Sequence, residues 1–392
     1  MVGVFSIIIL ACFIATVAFV LIQKQLYLWI FSYYRQKLVS IVVCKAKKTG
    51  EQHIIICICD HCDFGSGGVF RPGEADIIKA WEEKFPEFSQ RHMDTEGINL
   101  QHTWFFPPHY HRADYLEKLV RLCSKGYGEI EMHLHHDHMP SYADTSQTLR
   151  KKIRDCIAAY SKYGVFCLPN GEKTFGFIHG DWALDNSRKG KYCGVNDEIR
   201  ILSEEGCYAD FTFPSLGEAQ PGKINSIYYV LDDPLKPKSY NTGVDVKVGG
   251  KAFGDLMLIQ GPLGLRFKRK WGIPFYPAIE AAALEETNTL SMQRAIAWLQ
   301  ANIHVKGRPE WIFVKLHTHG LMRQNFDHNF GEMAETFFTD LEKKYYNPKD
   351  GYLHYVTARQ MYNIVKAAEA GKTGNPADYC NYVIPKYLYL KD

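Results

Sequence analysis

The chain carries almost no excess of charge: its 392 residues include 46 Lys and Arg against 43 Asp and Glu, a formal net charge of +3. Proteins that bind nucleic acid usually concentrate basic residues on one face, so this balance argues against a nucleic-acid partner. The sequence shows no internal repeat or low-complexity tract. Its glycine cluster at 65–68 lacks a P-loop lysine, which excludes a phosphate cradle of that kind.

Paired cysteines are lacking as well. The eleven cysteines are an odd number spread singly along the chain, and Cys57 and Cys59 lie inside an apolar run. Secreted disulfide frameworks show paired spacings in short chains, so we expect these thiols to be reduced and buried, as in a cytosolic domain. A thiolate metal site at Cys57, Cys59 and Cys62 is the alternative, but core packing is favoured because no second Cys pair follows.

Charged side chains are absent from Val2 to Gln23. About 20 apolar residues can cross a bilayer as a helix, so the sequence predicts a transmembrane helix at about residues 4–23. Basic residues follow this run and none precedes it, which predicts a single-pass membrane protein with a cytoplasmic catalytic domain. The aromatic run at 26–34 is expected to lie along the headgroups; a helix buried in the globular domain is the alternative. Residues 1–44 are therefore predicted to be a membrane anchor.

From about residue 50, short β-rich runs alternate with helix-period runs, which is typical of α/β architecture. Strands are predicted at 53–59, 98–106, 129–135, 174–179, 208–213, 226–231, 255–260 and 311–317. Helices are predicted between several of them, and a last helix from Thr357 to Gly371. Frequent Pro and Gly at 214–285 predict irregular strands with long loops inside the same domain. Residues 50–392 are thus expected to form a distorted (β/α)7–8 barrel.

Histidine and aspartate recur where the predicted strands end. These residues are Asp60, His61 and Asp63, then His102, His133 to His138, His179, Asp181 with Trp182, Asp210, His317 and His319. In a parallel barrel the carboxyl ends of the strands meet at one face, where catalytic groups collect. Several strand ends that carry His or Asp together therefore indicate one shared site.

The H-x-H-x-D pattern at His133, His135 and Asp137 is typical of a metal site, because alternate residues of a strand point to the same side. His136 and His138 are then expected to face outward or to serve the loop, and a histidine-rich loop is the competing interpretation. A divalent ion held by Asp and His activates water and polarises a carbonyl, as hydrolysis of an amide or ester requires.

At these residues the sequence resembles a divergent polysaccharide deacetylase of the glycoside hydrolase/deacetylase barrel superfamily. The segment 129–137 follows the family's E-I-G-x-H-T-x-x-H motif, with His133 and Asp137 at its two metal-ligand histidines. The family's first motif has two adjacent aspartates, a base and a ligand; their counterparts Asp60 and Asp63 are separated by two residues. The likeness spans about residues 54–321. The same stretch also resembles an uncharacterised subgroup of this superfamily, whose genes tend to accompany glycan-assembly genes.

This resemblance implies a metal-dependent hydrolase that removes an acyl group, N-acetyl above all, from a glycan or a lipid-linked saccharide. The implied ligands of a divalent metal, zinc by expectation, are Asp63, His133 and either Asp137 or His135. Asp60 is the implied base, and His317 or His319 the implied acid. The residues expected to contact substrate are His102, His179, Asp181, Trp182 and Asp210.

Two other functions stay open. The same superfamily includes retaining glycosidases with paired carboxylates, and Asp60 with Asp210 would be that pair at a separation of about 5 Å. The third interpretation is a degenerate barrel that binds glycan without catalysis.

Overall fold

The structure is a computed structural model, and it describes residues 2–43, 51–63, 74–108, 112–136, 144–270, 273–347, 349 and 351–390. Asp137, a predicted metal ligand, lies outside the described residues. The helices are α1 (Val2–Gln23), α2 (Ile30–Val43), α3 (Glu74–Arg91), α4 (Ala113–Ser124), α5 (Ser146–Tyr160), α6 (Glu198–Glu204), α7 (Met292–Gln300), α8 (Phe326–Phe330), α9 (Glu332–Lys344) and α10 (Ala358–Glu369).

Each of the eight predicted strands overlaps an observed strand, whereas the strands at 346–347 and 351–355 had no counterpart in the prediction. The observed strands are β1 (His53–His61), β2 (His102–Phe106), β3 (Gly128–Leu134), β4 (Phe175–His179), β5 (Cys207–Asp210), β6 (Ile227–Val230), β7 (Val244–Asp245), β8 (Leu256–Ile259), β9 (Gly264–Lys270), β10 (Ile273–Glu280), β11 (Trp311–Thr318), β12 (Tyr346–Asn347) and β13 (Gly351–Tyr355). Every residue of β1 is buried, as expected of an apolar strand in a parallel sheet covered on both faces.

A large parallel sheet organises the domain. On one side β1 pairs with β11 along almost its whole length, and on the other it pairs with β13 near its start and with β2 near its end. The parallel order continues from β2 through β3, β4 and β5 to β8. Lys315 of β11 donates to the carbonyl oxygens of Phe211 and Phe213, just beyond β5, and so links the two ends of this series. The predicted α/β fold with a barrel-like parallel sheet is confirmed.

The irregular stretch 214–285 contains β6 to β10. Here β6 runs antiparallel to β7 and β8, while β9 and β10 form a separate two-stranded antiparallel sheet. Sequence reasoning predicted irregular strands in this region, but the charged run Arg266 to Lys270 hid the pattern of β9.

The helix α10 packs at the amino-terminal end of the strands. Its first residue donates its backbone N–H to Thr103 of β2, and the preceding Thr357 donates to Glu129 of β3. Thr357 also forms a capping box with Gln360, as its position before the predicted helix implied. The opposite, carboxyl end of the sheet carries the strand ends rich in histidine.

The prediction of a single-pass membrane protein was wrong. Within the described residues, no helix combines the length and the apolarity that crossing a bilayer requires. The aromatic run at 26–34, expected along the headgroups, packs against the domain. Leu26, Trp29 and Ile30 of this run form a small apolar core with Ile224 and Leu263. The apolar surface that this run needed lies in the 214–285 segment, about 190 residues away, and local sequence cannot reveal such a contact.

Candidate metal centre

Three of the predicted metal ligands meet at the carboxyl end of the sheet. Asp63 follows β1, His133 lies in β3 and His135 follows β3. His135 Nε2 lies 3.0 Å from Asp63 Oδ1 and 3.1 Å from His133 Nε2. His133 Nε2 lies 3.5 Å from the same carboxylate oxygen. One ligand atom of each residue thus faces the other two, in a group that can hold a metal ion.

Both imidazoles of this centre are oriented through their other nitrogen. His133 Nδ1 lies 2.8 Å from the carbonyl oxygen of Ile178 in β4, and His135 Nδ1 lies 3.2 Å from Asp181 Oδ2. A ring that donates from Nδ1 keeps the lone pair of Nε2 for a cation, which is the usual arrangement around metal-binding histidines. A cation between the two Nε2 atoms would bind both lone pairs.

The turn after β4 is shaped to bring Asp181 to this position. Asp181 and Trp182 have φ of 53° and 52°, a left-handed conformation that costs a non-glycine residue about 1–3 kcal/mol. A Cβ on Gly180 would lie 2.5 Å from the ring of His135, so only glycine permits this approach. This left-handed turn therefore places Asp181 next to the ring of His135.

Further imidazoles line the same end of the sheet. The ring centroid of His61 lies 5.5 Å from His133, 5.8 Å from His317 and 5.0 Å from His319. Trp182 borders them, at 5.9 Å from His61 and 6.0 Å from His319. Within the described residues, His61 Nε2 and Trp182 Nε1 have no hydrogen-bond partner. Both atoms are buried polar groups whose hydrogen-bonding capacity is unused in this part of the chain.

The charges of the centre are coupled. Burial raises the pKa of the Asp63 carboxyl, but His135 and His133 outweigh burial and hold this pKa well below its usual range. Burial lowers the pKa of His135, but Asp63 and Asp181 outweigh it and raise the pKa to about 10. Without a cation, His135 therefore carries the proton that balances Asp63, and metal binding must release it.

His319 forms a dyad with Glu285 at the rim of the centre. His319 Nδ1 lies 2.8 Å from Glu285 Oε1, and its Nε2 lies 3.9 Å from Asp63 Oδ2. Burial lowers the pKa of His319, but the hydrogen bond to Glu285 outweighs burial and the pKa is raised. The neighbouring His317 is more deeply buried, and burial, aided by Lys315, lowers its pKa to about 3.

Asp60 and His102 lie apart from Asp63. Asp60 Oδ1 accepts the backbone N–H of Gly320 at 2.7 Å, and its other oxygen lies 3.8 Å from His102 Nδ1. The ring of His102 packs against Trp81 and Phe85 of α3, with centroids 4.8 and 4.9 Å away. Because strand residues alternate, Asp60 points away from the face that carries His61.

The remaining predicted site residues enter other networks. Asp210 accepts hydrogen bonds from the hydroxyl and backbone N–H of Thr212, and burial raises its pKa to about 7. Asp60 and Asp210, the carboxylates required for the glycosidase alternative, thus have separate partners. His179, expected to contact sugar, is fully buried and stacks on His136 with ring centroids 4.5 Å apart.

Sequence reasoning placed His61 among the strand-end residues without giving it a role, and it did not single out Glu285, Cys193 or Glu198. For His61 a signal existed, since it alternates with Asp60 on β1. Glu285 lies in an irregular segment, and the bridge between Ala283 and His317 that positions it is a long-range contact. Cys193 and Glu198 join His136 and His179 in a second buried group able to hold a metal ion.

Comparisons with known proteins found distant likenesses in structure. No family model and no curated protein matches the chain. A provisionally assigned glycoside hydrolase/deacetylase from Parabacteroides distasonis is similar over 83% of this chain and 73% of its own, with 12% identity and a TM-score of 0.42. A 4-alpha-glucanotransferase from Thermococcus litoralis is similar over 79% of this chain and 41% of its own, with 15% identity and a TM-score of 0.35. A GH57 branching enzyme from Thermococcus kodakaraensis is similar over 54% of this chain and 47% of its own, with 14% identity and a TM-score of 0.28. At TM-scores this low, the likenesses carry no argument about function.

Proposed function

We propose that the chain is a metal-dependent hydrolase that removes an acyl group, N-acetyl above all, from a glycan or a lipid-linked saccharide. The observation that carries the proposal is the convergence of Asp63, His133 and His135, with one ligand atom of each facing the others. One carboxylate and two imidazoles are a ligand set of catalytic zinc sites, in which three protein ligands leave one position open. Zinc is the metal we assign, because imidazole and carboxylate suit it.

The residues around this centre hold the ligands and shape the substrate site. A bound divalent ion would supply a Lewis acid for the carbonyl oxygen and would activate water. Asp181 and the Ile178 carbonyl keep the rings of His135 and His133 in the orientation that such an ion needs. Trp182 offers a ring face for stacking on a sugar and an indole N–H for a sugar hydroxyl.

Cleavage of the amide needs a proton on the departing nitrogen. Water adds to the carbonyl carbon, the C–N bond breaks, and a carboxylate and an amine are released. His319 is the donor that we assign, at Nε2, because its Nδ1 is held by Glu285, which stabilises the imidazolium form. We assign Asp60 a positioning role, because its hydrogen bond to Gly320 fixes the turn that carries His319.

The substrate class rests on the resemblance of segment 129–137 to the second motif of the polysaccharide deacetylases. The variant His133→Ala tests the proposal in the full chain. We expect it to lose one equivalent of bound metal and to release no measurable acetate from N-acetylated oligosaccharides, while its circular dichroism spectrum is unchanged.

The control is His304→Ala, since His304 contacts the carbonyl of Asn302 and belongs to neither metal-binding group. It should keep both metal and activity. Acetate release by His133→Ala at the wild-type rate would refute the metal-dependent reaction. New reducing ends without acetate would replace deacetylation by glycoside hydrolysis.

A further inference from the structure

A second group of ligand-type side chains lies beside the centre already described. It consists of His136, His179, Cys193 and Glu198, all of them buried. Their ligand atoms lie within 4.8 Å of one another. His136 follows β3, His179 ends β4, Glu198 begins α6 and Cys193 lies in the loop between them. The proposed function uses none of these four.

The atoms of this group that face each other lack hydrogen bonds. His136 Nε2 and His179 Nε2 lie 3.1 and 3.3 Å from Glu198 Oε1. Within the described residues, none of these three atoms has a hydrogen-bond partner of acceptable geometry. A buried polar atom left unsatisfied is destabilising, so three such atoms directed at one point need an explanation. A cation between them is a sufficient one.

The Nδ1 atom of His179 and the second carboxylate oxygen of Glu198 are already engaged. His179 Nδ1 lies 2.5 Å from the carbonyl oxygen of the next residue, whereas His136 Nδ1, at 3.2 Å from Asp144 Oδ2, forms no hydrogen bond of acceptable geometry within the described residues. Glu198 Oε2 accepts the backbone N–H of Asp185 at 2.6 Å. Metal-binding imidazoles and carboxylates are held in this way by an outer shell of acceptors and donors.

Cys193 adds a sulfur ligand to the group. Its Sγ accepts backbone N–H groups from Asn186 at 3.4 Å and from Val195 at 3.5 Å, and lies 3.3 Å from Glu198 Oε2. Burial and the nearby Glu198 raise the pKa of this thiol well above its ordinary range, so metal binding must release its proton. Two imidazoles, a thiolate and a carboxylate are all zinc ligands.

We propose that His136, His179, Cys193 and Glu198 bind a structural zinc ion. Four protein ligands close a tetrahedral shell, which is typical of structural sites, whereas the first centre has three ligands and an open position. This ion would join the carboxyl ends of β3 and β4 to α6. It would thereby fix His135, the neighbour of His136, in the orientation that the first centre requires.

Cobalt substitution of the full-length protein tests this proposal. A thiolate bound to Co²⁺ gives a near-ultraviolet charge-transfer band, whereas Asp63, His133 and His135 contain no sulfur. We expect the wild type to bind two equivalents of metal, one for each group, and to show this band. Cys193→Ser should lose the band and one equivalent, whereas His133→Ala should lose one equivalent and keep the band.

Cys167→Ser is the matched control, because Cys167 is half-buried and donates to the carbonyl of Ser161, away from both groups. It should keep the band and both equivalents. Glu198→Gln serves if Cys193→Ser does not fold, and it should also lose one equivalent. A wild type without the band, or a Cys193→Ser protein that keeps it, would overturn the structural site. His133→Ala reports on the first centre alone, so the two proposals can fail separately.

Discussion

The chemistry of the first centre depends on which nitrogen each histidine presents. In His133 and His135 the Nδ1 atom is engaged by Ile178 and Asp181, and Nε2 faces Asp63. Strand alternation predicted that His133 and His135 share a side, and the structure brings them together. The same rule separates His61 from Asp60, but β1 is buried on both faces. Hydrophobic patterning therefore does not reveal which of these two residues faces the centre.

Removal of the outer-shell carboxylate should weaken metal binding without altering the fold. In Asp181→Ala the ring of His135 loses its acceptor, and we expect metal affinity at the first centre to fall about 10- to 100-fold. Competition with a chelator measures this affinity, and activity should return at high metal concentration.

The control for Asp181 is Asp233→Asn, which alters an exposed aspartate paired with Lys236. It should leave the affinity unchanged. An Asp181→Ala protein that binds metal as tightly as the wild type would show that Asp181 does not orient His135.

His319 can be tested separately from the metal ligands. We expect His319→Gln to keep its metal while kcat falls about 100- to 10,000-fold, the usual contribution of a positioned acid or base. Steady-state kinetics with metal analysis of the same sample separates the two effects. The comparison variant is His328→Gln on α8, expected to retain full kcat. Loss of one equivalent of metal from His319→Gln would make His319 a ligand instead of a proton donor.

At the scale of elements, opposite ends of the parallel strands have different tasks. Their carboxyl ends carry the metal ligands, whereas their amino ends are covered by α10, whose Arg359 pairs with Glu129 at 2.7 Å. Arg359 also donates to the carbonyl of Ile384 in the carboxyl-terminal segment. The sequence predicted the start of α10 from Thr357, its N-cap residue. The partner of Arg359 is more than 200 residues away and could not be predicted.

Loss of Arg359 should destabilise the domain strongly. Arg359→Met leaves Glu129 buried without its cation, and breaking such a pair from one side costs about 3–5 kcal/mol. Urea denaturation followed by circular dichroism measures the change in the free energy of unfolding.

The matched comparison is Arg154→Met. Arg154 forms an ion pair with Glu205, but its side chain is 67% exposed. Solvent screens such an exposed pair, so this variant should be nearly as stable as the wild type. Equal effects of the two substitutions would contradict the importance of the buried pair.

At the scale of the whole molecule, the amino-terminal end of the sheet also contains a buried pair of histidines. His53 Nδ1 in β1 lies 2.9 Å from His354 Nε2 in β13, and the rings stack with centroids 5.1 Å apart. Burial, with a further contribution from His53, lowers the pKa of His354 to about 3 from its ordinary 6.5. The folded protein therefore keeps His354 neutral where the unfolded chain would protonate it.

This difference predicts the direction of a pH effect on stability. Between pH 6.5 and about 3, His354 is protonated in the unfolded chain but neutral in the folded chain. The contribution of His354 to the free energy of unfolding is therefore fully present above pH 6.5 and is lost as the pH falls toward 3. His354 should contribute a slope of up to about 1.4 kcal/mol per pH unit. In His354→Gln this contribution disappears, and urea midpoints at a series of pH values should show a flatter acid limb. Parallel limbs for the variant and the wild type would contradict the prediction.

The sequence by itself determined the alternation of strands and helices, the start of α10 and the placement of Asp63, His133 and His135 at strand ends. These features follow from local periodicity and from the rule that parallel strands end at one face. Tertiary structure alone decided that Asp60 accepts the N–H of Gly320, that Glu285 reaches His319, that segment 26–34 packs on the domain, and that His179 meets Glu198. Each of these depends on contacts between distant segments, and such contacts leave no trace in local sequence.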